Sequence, residues 1–147
     1  YYQDTDSIHI LKKDIPKLEE SFETKYNRTL TGKDLGQFHI DFSSDKCKGE
    51  LFAVESIFLG KKCYIDKICG DNPEVFDLHC RMKGIPNKSI THYALKNNED
   101  VLDIYRDLYN EKPKTFDLAC GGLKCCFEYD KQFAIKTMRI FERQIKF

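Results

Sequence analysis

The chain has 147 residues, with 24 Lys and Arg against 24 Asp and Glu, no Trp, and 41% apolar residues. That length suits one domain able to bury about two-thirds of its unfolded surface without metal or disulfide staples, and zero net charge excludes the blanket basicity of a nucleic-acid coat while leaving room for a local basic groove. No run nears the ~18 consecutive apolar residues of a membrane helix, and no charged-then-apolar leader opens the chain, so no membrane partner is expected and an intracellular location is.

In chain order, Tyr1 to Gln3 and Ser7 to Leu11 read as two short strands, with Asp4-Thr5-Asp6 at or near the tip of a hairpin. Ile8 and Ile10 alternate with Ser7 and His9, the period of a half-buried strand with the isoleucines inward. The first residue is Tyr rather than Met and already lies inside an element, so the sequence is expected to begin partway along a longer protein. Asp14 is placed to cap a helix in which Ile15, Leu18, Phe22 and Tyr26 recur at three to four residues. Thr29 to Gly36 reads as loop. Extended pieces follow at Phe38 to Phe42, Leu51 to Leu59 and Lys61 to Ile68, the last two joined tightly at Gly60.

The strand expected over Val75 to Lys83 alternates most cleanly. Phe76, Leu78, Cys80 and Met82 face one way, and Asp77, His79, Arg81 and Lys83 the other, so one face packs and the other is offered to something polar. Gly84-Ile85-Pro86-Asn87 ends it. Helices are predicted near Lys88 to Lys96 and Asp100 to Tyr109, the second with a stripe of Val101, Ile104, Tyr105 and Leu108. From Thr115 onward strands return, with Gly121-Gly122 as a turn and Phe133, Ile135 and Thr137 alternating with Ala134, Lys136 and Met138. The whole reads as an α+β chain.

Seven cysteines form no C-x-x-C pair, which predicts reduced thiols; zinc drawing on Cys63, Cys69 and Cys80, or on Cys120, Cys125 and Cys126, does not have the tight spacing of zinc knuckles. Charge is uneven along the chain. Residues 1–50 hold 8 basic and 10 acidic groups, whereas residues 101–147 hold 9 and 7, and from Lys131 onward five cations stand against Glu142 alone. That asymmetry suits metal at one end and phosphate at the other, although a solvated basic face has the same composition.

Asp4 and Asp6 are two residues apart, so a strand or a tight turn brings two like charges together. Their repulsion is offset by a divalent cation, a basic partner or a shared proton; a hard cation such as Mg²⁺ or Mn²⁺, coordinated by oxygens and leaving positions for substrate, fits such a pair near phosphates. A bare D-x-D is also the mark of a turn held by Asx hydrogen bonds. The longer string Tyr2-Gln3-Asp4-Thr5-Asp6-Ser7 reads Y-x-D-T-D-S, and in it the chain resembles the palm motif of family B DNA polymerases. The resemblance implies that Asp6 is a direct ligand of two Mg²⁺ or Mn²⁺ ions, that Asp4 is a supporting carboxylate, and that Tyr2, Thr5 and Ser7 shape the turn.

Downstream, Lys62-Cys63-Tyr64 stands as K-x-Y, which on a strand would put Lys62 and Tyr64 on one face. Family B polymerases carry such a K-x-Y toward the primer end, so the resemblance implies Lys62 on phosphate and Tyr64 on the sugar; Arg81 and Lys83, on the polar face of the next strand, are candidates for duplex phosphates, although a solvated strand face has the same pattern. The short interval between the two motifs, through Leu35-Gly36, looks most like the protein-primed branch of phages, adenoviruses, linear plasmids and mobile elements. The implied partners are primer–template DNA, dNTPs and a terminal protein that supplies the priming hydroxyl. The implied architecture is the end of a palm over 1–92, an antiparallel sheet with packed helices, and a small strand-rich thumb over 93–147. A further palm carboxylate is not identifiable, so the 147 residues are expected to be inactive alone.

Three rivals remain. A D-x-D glycosyltransferase holding Mn²⁺ against a nucleotide-sugar explains Asp4 and Asp6 but leaves Lys62, Tyr64 and the basic tail idle. A D-x-D-x-[TV] phosphatase would need Thr or Val where Ile8 stands. A non-catalytic DNA-binding module of polymerase ancestry would bind DNA with salt dependence but without Mg²⁺ dependence.

Overall fold

The computed structural model describes residues 1–121, 132 and 141–147, together with the backbone of 126–129 and 135–138. It is mixed α+β, as its sequence predicts, and it divides into two compact units, Tyr1–Val54 with Ile68–Asp77, and Glu55–Lys67 with Leu78–Phe147. The expected boundary between residues 92 and 93 does not coincide with that division. Helix α2 (Asn87–Asn97) straddles it, and the helix lies wholly in the second unit.

In the first unit, β1 (Tyr2–Asp4) pairs antiparallel with β2 (Ser7–His9), followed by a 3₁₀ turn at Lys12–Asp14 and helix α1 (Ile15–Tyr26). Pro16 in the first turn of α1 costs nothing, because its missing N–H would have had no partner there, and Asn27 in the left-handed region closes the helix. Asp14 holds the expected cap position but makes no capping bond, since the preceding 3₁₀ turn sets its backbone at φ −92°, ψ −10°, in the helical rather than the extended region that an N-cap residue takes. The strand expected over Phe38 to Phe42 is not formed. A single bridge, Thr31 with Phe38, stands in its place, because among the described residues no strand continues the ladder. Leu30, Cys47, Ile68 and Cys69 are buried in this unit, whereas α1 buries no residue completely.

The central sheet has the order β3 (Phe52–Gly60), β4 (Cys63–Cys69), β5 (Phe76–Met82). In the second unit its inner face carries Ile57, Leu59, Cys63, Ile65, Leu78, Cys80 and Met82 against α2 and α3 (Val101–Tyr109). Asp100 caps α3, its carboxylate accepting from the Leu102 N–H at 2.7 Å. Ile104, Tyr105 and Leu108 reach zero exposure, and each such burial stabilises the fold by about 1.5–3 kcal/mol. Strand β6 (Lys114–Asp117) pairs antiparallel with β9 (Glu142–Ile145), and β7 (Cys126–Tyr129) with β8 (Ile135–Met138).

Lys114 faces inward beside Phe116 and is paired at 2.8 Å with both Glu99 and Asp107. Burial alone would lower its pKa, but the hydrogen bonds to Asp107 and Glu99 outweigh it and hold the ammonium charged. Cys47, Cys63, Cys69, Cys80 and Cys120 are free thiols, as expected of them. Gly122, Cys125, Lys131, Phe133 and Ala134 lie outside the described residues. Among the described residues no helix is long and apolar enough to cross a membrane.

Candidate functional site

The Y-x-D-T-D-S string folds as a strand, a two-residue turn and a strand, in the register Tyr2 to His9, Gln3 to Ile8 and Asp4 to Ser7. Tyr2, Asp4, Ser7 and His9 share the half-buried face of the hairpin. Ile8 and Ile10, predicted inward, are instead 37% exposed each. The physical reason is aromatic packing, since the His9 ring sits edge-on to Tyr2 at 5.5 Å and near Phe42 at 6.3 Å, which turns the polar residues of β2 inward.

At the tip, Thr5 is held at φ +36°, a conformation that a β-branched residue adopts only at a cost of order 1–3 kcal/mol. The local hydrogen bonds hold it there. The Thr5 hydroxyl donates to Asp4 Oδ1 at 3.3 Å, and the Ser7 hydroxyl donates to the Asp4 carbonyl at 3.2 Å. Asp4 thus ends β1 half-buried, while Asp6 occupies the turn and is exposed. The pair offers only oxygen donors on a strained tip, one carboxylate restrained and one facing solvent.

A second cluster lies in the other unit. Lys62 is not on a strand, so the face-sharing argument for K-x-Y fails: it occupies the turn before β4 at φ +58°, and only Tyr64 is on the strand. The tight link from β3 to β4 is the cause, because the two-residue turn, expected at Gly60, is formed by Lys61 and Lys62. The Tyr64 ring lies 6.1 Å from Phe58 on β3 and is stacked at 6.1 Å on His79 of β5. These three form an aromatic row across the sheet, on the face opposite the core.

Arg81 is on the same face of β5 as His79, and its backbone carbonyl accepts the Tyr105 hydroxyl of α3 at 3.0 Å. Burial pushes the Tyr105 phenol well above its ordinary value, so the donor stays protonated. Lys83 is exposed beyond the end of β5. The next residue, Gly84, has φ +78° and lies under the Arg143 guanidinium: a Cβ there would stand 1.8 Å from Arg143 Nη1.

The fold therefore adds Phe58, His79 and Arg143 to the residues the sequence singled out in this unit. His79 was legible as a polar-face position of β5. Arg143 was legible only as part of a basic tail, because the pairing of β9 with β6 sets where it lands. The fully buried Asp66, which accepts from the Ser56 hydroxyl at 2.6 Å, gave no sequence signal either. Compared with family models, with curated proteins and with solved structures, the chain matches none.

Proposed function

We propose that this chain carries the metal-holding hairpin and the primer-facing strands of a family B DNA-directed DNA polymerase, in its protein-primed branch. Asp6 and Asp4 are the metal carboxylates, and Lys62, Tyr64, Arg81 and Lys83 contact primer–template DNA, with Tyr2, Thr5 and Ser7 shaping the turn. The observation that carries the reading is the Asp4-Thr5-Asp6 tip itself, a two-residue antiparallel turn with strained Thr5 and one exposed carboxylate. Its donor set fits Mg²⁺ or Mn²⁺, which take oxygen ligands and are commonly held by one or two carboxylates together with substrate phosphates. When bound, such ions supply charge neutralisation at the phosphates of a dNTP and activation of a primer or terminal-protein hydroxyl.

The residues of the chain do the positioning. Thr5 donates to the Asp4 carboxylate and Ser7 to the Asp4 carbonyl, so the first orients the side chain and the second the backbone that carries it. The Phe58, Tyr64 and His79 row offers an apolar surface with polar edges for a sugar, and Arg81 and Lys83 offer cations for backbone phosphates.

The test measures a labelled primer–template duplex binding to the chain across a salt series, alongside dNTP incorporation by the protein as its gene encodes it. Each phosphate contacted contributes a slope of about −0.9 in log Kobs against log salt, and Lys83→Ala is expected to reduce the slope by about one such contact. Asp6→Asn is expected to leave duplex binding intact while cutting Mg²⁺-dependent incorporation by more than the ~100-fold typical of losing a group that merely supports a metal ligand. Duplex binding indifferent to salt, or Mn²⁺-dependent turnover of a nucleotide-sugar, would overturn the reading.

A further inference from the structure

Three donors of different chemistry converge in the second unit, apart from every residue used above. His92 lies on α2, Asp117 ends β6, and Cys120 lies in the turn that follows. One ligand atom from each lies within 4.8 Å of the other two. The turn is built to hold that approach: Asp117 Oδ1 accepts the Ala119 N–H at 2.8 Å, and the Cys120 thiol is within 3.0 Å of the Asp117 carbonyl. Gly121 then passes so close to α2 that a Cβ would stand 2.4 Å from the Ser89 hydroxyl.

A second observation points to a cation. Asp117 is directly opposite Glu142 in the antiparallel β6–β9 pair, and both are exposed. Like charges facing each other across a ladder are destabilising unless something offsets them. Among the described residues neither carboxylate takes part in a salt bridge. Both line a cavity of about 110 Å³ together with His92 and Lys96.

We propose that His92, Asp117 and Cys120 form a zinc site, with Glu142 or water in the fourth position. An N, O and S donor set of three protein ligands suits Zn²⁺ rather than Mg²⁺ or Ca²⁺. Tetrahedral zinc needs its ligand atoms about 3.3–3.6 Å apart, a contraction left to rotation of the exposed His92 and Asp117 side chains about the half-buried Cys120. Binding exchanges the Cys120 S–H bond for an S–Zn bond and releases the proton to solvent. The ion clips the end of the β6–β9 pair to α2, so the role is structural. A nucleophilic Cys–His–Asp triad is the other chemistry of these residues, but it needs a hydrogen bond between thiol and imidazole. The Cys120 thiol instead points to the Asp117 carbonyl and the Ser89 hydroxyl. The proposal does not depend on the polymerase reading.

The test is Co²⁺ substitution in the 147-residue chain, read as the near-ultraviolet thiolate-to-cobalt band, with Zn²⁺ competition and the Zn²⁺-dependent rise in Tm. One ion per chain is expected. Cys120→Ser removes the band and the rise in Tm, and His92→Ala or Asp117→Asn weakens binding by at least about 10-fold. Cys125→Ser with Cys126→Ser leaves the band in place. His92 and Asp117 are exposed, so metal-free circular dichroism of those two variants gives a folded control whatever Cys120→Ser does to stability. A band that survives Cys120→Ser, a band lost only with Cys125 and Cys126, or no binding at excess Co²⁺ overturns the site.

Discussion

Tyr105→Phe isolates one bond that ties the helical layer to the candidate DNA-facing strand. The Tyr105 ring is at zero exposure in the core, and its hydroxyl donates to the Arg81 carbonyl at 3.0 Å. Phenylalanine keeps the ring and opens no sizeable cavity, so the loss is confined to the hydrogen bond and a carbonyl left with less than its due. Such a deletion costs about 1–2 kcal/mol, whereas Tyr105→Ala, which empties the ring's volume, should cost about 3–5 kcal/mol. With an unfolding entropy of about 2.1 cal/mol/K per residue, the smaller figure lowers Tm by about 3–6 °C. Urea unfolding followed by circular dichroism checks it: the midpoint should fall with the slope m unchanged. Arg81→Ala serves as the control, because the acceptor is backbone and survives that substitution. A Tyr105→Phe variant as stable as the parent, or an Arg81→Ala variant that loses the same amount, would refute the assignment.

Two further outcomes follow from the same unit. Burial pushes the Cys63 thiol from 9.0 up to about 11, so an unfolded chain gives up that proton first. Stability is therefore complete below about pH 9 and is lost as pH rises toward 11, by at most ~1.4 kcal/mol per pH unit; Cys63→Ala should flatten that decline in midpoints measured from pH 8 to 11. Gly84→Ala places an L-residue at φ +78° and pushes its Cβ onto the Arg143 guanidinium. It should cost about 1–2 kcal/mol, read as a lower urea midpoint; unchanged stability would mean that the turn relaxes without strain.

Much of the candidate site was legible because its signals are local. A tight turn between two extended runs needs only neighbouring residues, and Asp4-Thr5-Asp6 lies where the alternation on either side puts it. The same holds for α1, α2 and α3, whose apolar spacing and breakers set their ends within a residue or two. Lys62 shows where local reasoning failed. Lys61-Lys62 reads equally well as strand or turn, and pairing of β3 with β4 decides for the turn. Phe38 to Phe42 alternates as a strand should, yet among the described residues no strand pairs along it and its backbone stays irregular.

By itself the amino-acid sequence determined the α+β character, the carboxylate pair at a hairpin tip and the inward set Leu78, Cys80 and Met82 of β5, since each follows from side-chain periodicity and turn chemistry, whereas Phe76, predicted on the same packed face, is 38% exposed. Tertiary structure decided which face of β2 turns inward, because Tyr2, His9 and Phe42 pack across strands and loops. It also decided that Tyr64 stacks on His79, that Arg143 covers Gly84, and that His92 meets Asp117 and Cys120. Those meetings join residues 15 to nearly 60 positions apart, and no local pattern encodes a contact whose partners are brought together only by strand pairing and a shared core.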